Sequence, residues 1–360
     1  MKYILLTPGP TPLPPSVSEA MAKPILHHRT EEFCRLFDFT LKEMQYVYRT
    51  KNTVLLMTSS GTGSMESAVA NLLSAGDQAL VYSTGAFGDR FVSILKSYGL
   101  APVVILGEWG HAADPEKLKT TLKENPGVKA VFLQHTDTST GVVNDLASLA
   151  RCAREVSAAI IVVDAVSSLA AERLETDEWG LDVVLTGSQK GLMNAPGLAF
   201  AAVSQRAWKL VEAAKLPRFY FDWRTMRKSL ADRETPYTPG VTLIAGQAEA
   251  LRLIRKERIE NVWKRTADLA QYTRNWAAKT GLKLFAKNPA NILTALWLPA
   301  DMDGQALIAG ILKEEGISIA GGQLKLKGKI IRIAHMGYIS KADLNAGFTA
   351  LEKRLARVKA

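Results

Sequence analysis

At 360 residues, 47% of them apolar, the chain is long enough for two domains and can bury a sizeable core. Its net charge of +10 is one-sided: residues 1–203 carry 17 Lys and Arg against 21 Asp and Glu, and residues 204–360 carry 28 against 14. The excess is spread along helical segments such as 252–264 with acids interleaved, which argues against a nucleic-acid footprint. Cys34 and Cys152 stand too far apart for a disulfide framework or a metal cluster, so no metal is expected and a reducing compartment suits the chain. The apolar opening ends at once in Thr7-Pro8-Gly9-Pro10, too short for a signal peptide or a membrane span, and a cytoplasmic location is the expectation.

In chain order, residues 3–6 lead into Thr7-Pro8-Gly9-Pro10-Thr11-Pro12, an extended, stiff arm without regular structure. Gly9 would let the backbone approach a ligand closely. A short helix over 16–21 would be capped by Ser16. His27 and His28 are adjacent, so they point apart and make a poor metal pair; with Arg29 they read better as a loop near an anion. Phe33, Leu36, Phe37, Leu41, Met44 and Val47 recur at three and four, marking an amphipathic helix over 31–48.

Residues 53–57 read as a strand, followed by the turn Thr58-Ser59-Ser60-Gly61-Thr62-Gly63-Ser64 and a helix over 65–73. Strand, small polar turn and helix start hold a phosphate through unpaired N–H groups and the helix dipole. There is no third glycine in register for a dinucleotide fingerprint, and no Gly-Lys-Ser/Thr for a Walker loop. The pattern repeats: strands over 79–82, 102–106, 130–133, 160–163, 183–185 and 198–203, with helices over 89–98, 114–124 and 145–157. Such alternation predicts an α/β fold with a mostly parallel sheet and helices on both faces. Ligands then sit beyond the carboxyl ends of the strands, where the polar clusters lie.

Past residue 204 the texture changes. Residues 216–239 look irregular, helices are predicted over 245–258 and 260–279, and the remainder reads as strand, helix, strand, strand and helix. That is a small α+β layer. The expected division is an N-terminal arm (1–20), a large domain (21–245), and interdomain helices with a small C-terminal domain (246–360).

Two side chains stand out. Asp164 ends a buried apolar strand, where a carboxylate is costly unless paired. Lys190 follows Val183-Val184-Leu185 in a Gly-flanked loop, where desolvation would lower its pKa and free its amine to form a Schiff base. An acid for a cationic ring nitrogen, a lysine for an aldehyde and an anion cradle are the parts of a pyridoxal phosphate site.

The chain resembles fold-type I pyridoxal-phosphate enzymes of the class V aminotransferase family, and within it the alanine–glyoxylate/serine–glyoxylate branch. The similarity is carried, in family order, by Thr7-Pro8-Gly9-Pro10-Thr11, Ser60-Gly61-Thr62-Gly63, Gly85-Ala86-Phe87-Gly88-Asp89-Arg90, Thr138-Ser139-Thr140-Gly141, Val163-Asp164-Ala165-Val166-Ser167-Ser168, Gly187-Ser188-Gln189-Lys190-Gly191, Thr235-Pro236-Tyr237-Thr238-Pro239 and Ile331-Arg332-Ile333. The resemblance implies that Lys190 bonds pyridoxal 5'-phosphate and moves the substrate proton, while Asp164 holds the ring nitrogen protonated. It implies Phe87 as the stacking ring, at a position where many relatives carry a larger aromatic. Gly61, Thr62, Gly63 and Gln189 would bind the phosphate. Thr238, with Thr235, would reach the cofactor of a neighbouring subunit, which implies a homodimer with shared sites. Thr138, or Ser139 if the register is one off, would bond the ring hydroxyl. Arg332 would clamp a substrate carboxylate, next to Gly9 of the arm and with His28 or Arg29 as further candidates.

The implied reaction moves an amino group from serine or alanine to glyoxylate or pyruvate in ping-pong fashion. A 2-aminoethylphosphonate–pyruvate aminotransferase is the alternative, as is a hydrogenase-associated or purine-catabolic relative. A cysteine desulfurase would need a late, mobile cysteine, and Cys34 and Cys152 are early. A binding protein that had lost turnover would show damaged catalytic positions, whereas Lys190 and Asp164 are both present. A nicotinamide dehydrogenase would need the missing third glycine.

Overall fold

A computed structural model describes residues 3–359; Met1 and Lys2 of the expected arm, and Ala360 at the other end, lie outside the described residues. The large sheet has seven strands in the order Thr53–Thr58, Leu198–Val203, Val183–Gly187, Ile160–Asp164, Val128–Gln134, Gln78–Ser83 and Val103–Leu106. All run parallel except Leu198–Val203, which is antiparallel to both neighbours. An apolar run carries no sign of its direction, so this reversal is not readable from sequence pattern.

The inner strands are buried on both faces, as a parallel sheet requires, and the edge strand Val103–Leu106 is partly open. Alternate residues feed two cores. Val131, Leu133, Ile161, Val163 and Val184 meet the helices Glu31–Tyr48, Pro115–Glu124, Leu146–Val156 and Val241–Glu257. Phe132, Ile160, Val162, Val183 and Leu185 meet Gly61–Leu72, Ala86–Ser97, Gln205–Ala213 and Trp223–Leu230. The first core continues through Ile254 and Val262, into the two long helices Val241–Glu257 and Ile259–Thr280. A separate core joins Ile259–Thr280, Gly304–Glu315 and Lys341–Lys359 to a three-stranded antiparallel sheet with Ile330–Ala334 at its centre, between Leu293–Trp297 and Ala320–Gly321. No helix among the described residues is long and apolar enough to cross a membrane.

Several local expectations are corrected. The arm contains a strand: Ile4–Leu5 pairs in parallel with Ile317–Ser318, and Leu6 accepts from the Ala334 N–H at 2.9 Å. The first helix starts at Pro15 without a side-chain cap, so Ser16 is not its cap; proline suits a first helical position because its missing N–H is not needed there. The helices after the two Gly turns begin earlier than periodicity indicates, at Gly61 and Ala86, because only their later turns are apolar enough to show the period. The stretch read as irregular holds the helix Trp223–Leu230, whose start is capped by the Asp222 carboxylate on Arg224 N–H at 3.1 Å.

Phe200, on the reversed strand, is fully buried, whereas Leu106 at the sheet's far edge is 69% exposed. Phe200→Ala should cost about 3–5 kcal/mol in urea unfolding, against no more than about 0.5 kcal/mol for Leu106→Ala. Equal costs would contradict the placement of the reversed strand in the core.

Candidate active site

The carboxyl ends of the parallel strands bring the polar clusters together. After Val183–Gly187 the chain turns sharply: Ser188 N–H donates to Leu198 O at 2.9 Å and Ser188 Oγ to Ala195 O at 2.6 Å. This presents Lys190 inward, where it is 9% exposed and its Nζ donates to the Pro8 carbonyl of the arm. The arm is pinned from the other side, Thr11 N–H donating to Gln189 O at 3.1 Å and Thr11 Oγ1 to Lys190 O at 2.9 Å. Between these bonds sits Gly9 at φ +140°, where a Cβ would collide with the Lys190 side chain. Backbone therefore lies directly against the amine, and only glycine fits there. Burial lowers the Lys190 pKa to about 8, the Arg332 guanidinium adds to the shift, and Asp164 opposes it.

Asp164 ends the neighbouring strand, paired in register with Leu185. It is buried, and its Oδ1 accepts from Val166 N–H at 2.8 Å. Burial raises its pKa to about 6, with Asp137 pushing the same way and the Val166 N–H and Lys190 opposing. Both groups that would carry charge are thus held in surroundings that disfavour it, a pattern concentrated at functional sites.

The anion cradle is the first turn of Gly61–Leu72. Ser60 makes no side-chain cap, leaving the helix-start N–H groups free of it. A Cβ at Gly61 would come within 2.7 Å of Val166, so the turn packs directly on the Asp164 segment. Gln189 lies beside it, since a Cβ placed on Gly187 would be 2.8 Å from Gln189 Oε1 and 3.2 Å from Gly61 N. That buried amide oxygen has no partner among the described residues.

Phe87 lies in the first turn of Ala86–Ser97, half-buried and outside the two cores of the large sheet. Its backbone N–H donates to Asp137 Oδ2 at 3.0 Å. Asp137 is fully buried, caps this helix start, also accepts from Ser139, and burial raises its pKa. Ser139 Oγ in turn accepts from Ala86 N–H at 3.0 Å. The Ser139 hydroxyl is therefore committed to the helix start, whereas among the described residues the buried Thr138 Oγ1 is met only by Ser167 Oγ at 3.5 Å.

Arg332 occupies the central strand of the small sheet and is 6% exposed, so it is neither on an edge strand nor at the surface. Its Nη1 donates to Thr138 O at 2.6 Å and its Nε to Gly321 O at 2.8 Å, leaving Nη2 without a hydrogen-bond partner among the described residues. Burial lowers its pKa to about 10, and Asp137 opposes this. It still carries its full charge at neutral pH.

The other candidates make contacts of their own. Arg29 is exposed and paired with Glu234, and the His28 ring faces His27 with centroids 4.9 Å apart. Thr235 folds back on Tyr237 O at 2.7 Å, and Thr238 is exposed. A cavity of about 1500 Å³ lies on the outer side of the lysine loop, walled by Thr11, Met193, Leu253 and Arg265 among others; Lys190 and Arg332 are not among its walls. Sequence reasoning passed over Asp137, Arg90 and the Pro8 carbonyl. Asp137 stood in a polar cluster already noted, and Arg90 three residues beyond Phe87 on the same helix. A backbone carbonyl leaves no sequence signal.

A buried amine, a buried carboxylate one strand away and a helix start whose N–H groups no side chain caps fit pyridoxal phosphate, which offers an aldehyde, a ring nitrogen and a phosphate. The comparisons agree. The model of Aminotransferase class-V matches residues 3–343.

The chain belongs to the class-V aminotransferase family.

Among similar proteins, the serine–glyoxylate aminotransferase of Methylorubrum extorquens is 34% identical, across 98% of this chain and 90% of that protein. A protein of a Synechococcus strain called soluble hydrogenase, small subunit, is 40% identical, across 99% and 94%. A crystal structure of alanine–glyoxylate aminotransferase from a Nostoc species superposes with a TM-score of 0.95 at 31% identity, covering 99% of this chain and 96% of that one. This class-V chain is an aminotransferase of fold type I, and its family implies pyridoxal 5'-phosphate as the cofactor.

The lysine makes a prediction for the cofactor-free protein. An unfolded chain keeps the lysine proton up to about pH 10.4, whereas the fold releases it near 8. Between those values folding expels a proton, so Lys190 burdens the fold fully below 8 and progressively less as pH rises. Lys190→Met should therefore raise the melting midpoint at pH 7, with the gain shrinking towards pH 10. A gain independent of pH would contradict the depressed pKa.

Proposed function

We propose that this aminotransferase moves the amino group of a small amino acid, serine or alanine, to glyoxylate or pyruvate, in the cytoplasm and as a homodimer. The observation that carries the reading is the placement of buried Lys190 beside buried Asp164, with the buried guanidinium of Arg332 acting on the same lysine. This constellation also favours transaminase over the hydrogenase name borne by the Synechococcus relative.

Bound pyridoxal phosphate supplies an electron sink that stabilises a carbanion at the substrate Cα. Asp164 would hold the ring nitrogen in its protonated form, and that cation would in turn stabilise the ionised carboxylate. Gly61, Thr62, Gly63 and Gln189 would hold the phosphate, Thr138 the ring hydroxyl and Phe87 the ring face. Arg332 would take the substrate carboxylate through its Nη2, its other nitrogens already fixed by Gly321 and Thr138. The Lys190 amine, unprotonated to a useful extent near neutral pH, would move the proton from Cα as base and return it as acid. The arm over Lys190 would shield that transfer from water, with Gly9 as its point of closest approach.

The site draws on an arm (1–20), a large domain (21–245) and the interdomain helices with a small domain (246–360). Support for a shared site comes from the surface around Thr238. There Phe219 is 78% exposed, and Tyr220 stacks on Tyr237 at 5.5 Å, an aromatic patch suited to a second copy.

The test is spectroscopic. Wild-type protein loaded with pyridoxal phosphate should lose its visible band on addition of serine or alanine and regain it with glyoxylate or pyruvate. Arg332→Ala should load normally but need about 100-fold more amino acid. A band indifferent to these amino acids would reject the substrate class, and unchanged amino-acid dependence in Arg332→Ala would remove that residue from the site.

A further inference from the structure

We propose that Arg90 is a positioning residue that locks the Phe87 ring to the phosphate cradle and balances the phosphate's charge, an inference that rests on the cofactor reading above. Arg90 follows Phe87 by three residues in Ala86–Ser97, so the two side chains share a helix face. Its guanidinium carbon stands 4.6 Å from the Phe87 ring centroid, and its Nη1 donates to Thr62 Oγ1 at 2.9 Å. Thr62 lies in the first turn of Gly61–Leu72, so one side chain spans from the ring to the cradle.

The arginine's charge is what makes this more than packing. Three other arginines stack on aromatic rings, and each has a carboxylate partner: Arg227 on Trp208 with Glu212, Arg252 on Phe39 with Glu249, and Arg255 on Tyr46 with Glu43. Arg90 is half-buried and forms no ion pair among the described residues. Its one hydrogen bond goes to a hydroxyl at an open helix start, where an anion is favoured. Its field also acts on the Asp164 carboxylate, with which it makes no ion pair among the described residues, so a phosphate dianion at the helix start would be its direct counter-charge. The backbone end of Phe87 is already held by the Asp137 carboxylate, so Arg90 holds the end that remains free.

The experiment measures binding of pyridoxal 5'-phosphate to cofactor-free wild type, Arg90→Met, Arg90→Lys, Phe87→Leu and the Phe87→Leu/Arg90→Met double variant by equilibrium dialysis, with melting midpoints alongside. Arg90→Met should bind between about 3-fold and about 30-fold more weakly, the range of a partly desolvated cation–π contact. Arg90→Lys, which keeps the charge and loses the planar face, should fall between it and wild type. In the Phe87→Leu background the loss from Arg90→Met should shrink, as coupled contacts require. Midpoints of the cofactor-free proteins should agree within about 2 °C. Wild-type affinity in Arg90→Met, an undiminished loss in the Phe87→Leu background, or a loss matched by unfolding would each overturn the proposal. If wild type itself binds no cofactor, the cofactor reading falls and this inference with it.

Discussion

The structure depends on keeping a lysine and a carboxylate out of water at the ends of two adjacent strands. Desolvation alone would neutralise both groups, and their pKa values of about 8 and about 6 show how far it succeeds. What keeps the site poised is the balance of fixed charge around them. Arg332 and Arg90 push the lysine towards its neutral form, while Asp164 and Asp137 pull it back. Each pole of this field is mounted on a different element: a strand end, a helix turn, the hairpin of Thr136–Asp137 and Val142–Val143, and the central strand of the small sheet. The fold brings the large-sheet groups together because its parallel strands deliver their carboxyl ends to one edge, and the bond from Arg332 to Thr138 O docks the small sheet there.

The arm ties the two sheets to this centre. Its strand pairs with Ile317–Ser318, Leu6 fills the core of the small sheet, and Leu6 O bonds the strand that carries Arg332. A few residues on, Pro8, Gly9 and Thr11 are fastened around Lys190. A displacement of the small sheet would therefore be felt at the lysine through only a few residues of proline-rich, stiff chain. The residue that would hold substrate and the residue that would move its proton are thus mechanically linked by backbone.

Much of this was legible in the chain. Alternating strands and helices gave away the wound sheet because burial on both faces leaves continuous apolar runs, and Lys190 and Asp164 were conspicuous because charge at the end of such runs is costly. The direction of Leu198–Val203 was hidden because apolarity has no polarity of direction. The strand at Ile4–Leu5 was hidden because two residues show no period, and its partner lies more than three hundred positions away. Asp137 was overlooked because it works on backbone N–H groups of a helix start that periodicity placed three residues too late. The burial of Arg332 in a central strand could not be read from its two flanking isoleucines, which suit an edge strand equally well.

The site is built around the buried Lys190 amine. The most direct measurement is to load the protein with pyridoxal phosphate, reduce it with borohydride, digest it and locate the modified lysine by mass spectrometry. The account predicts a single stoichiometric label on Lys190. A label on another lysine, or none after loading, would contradict it.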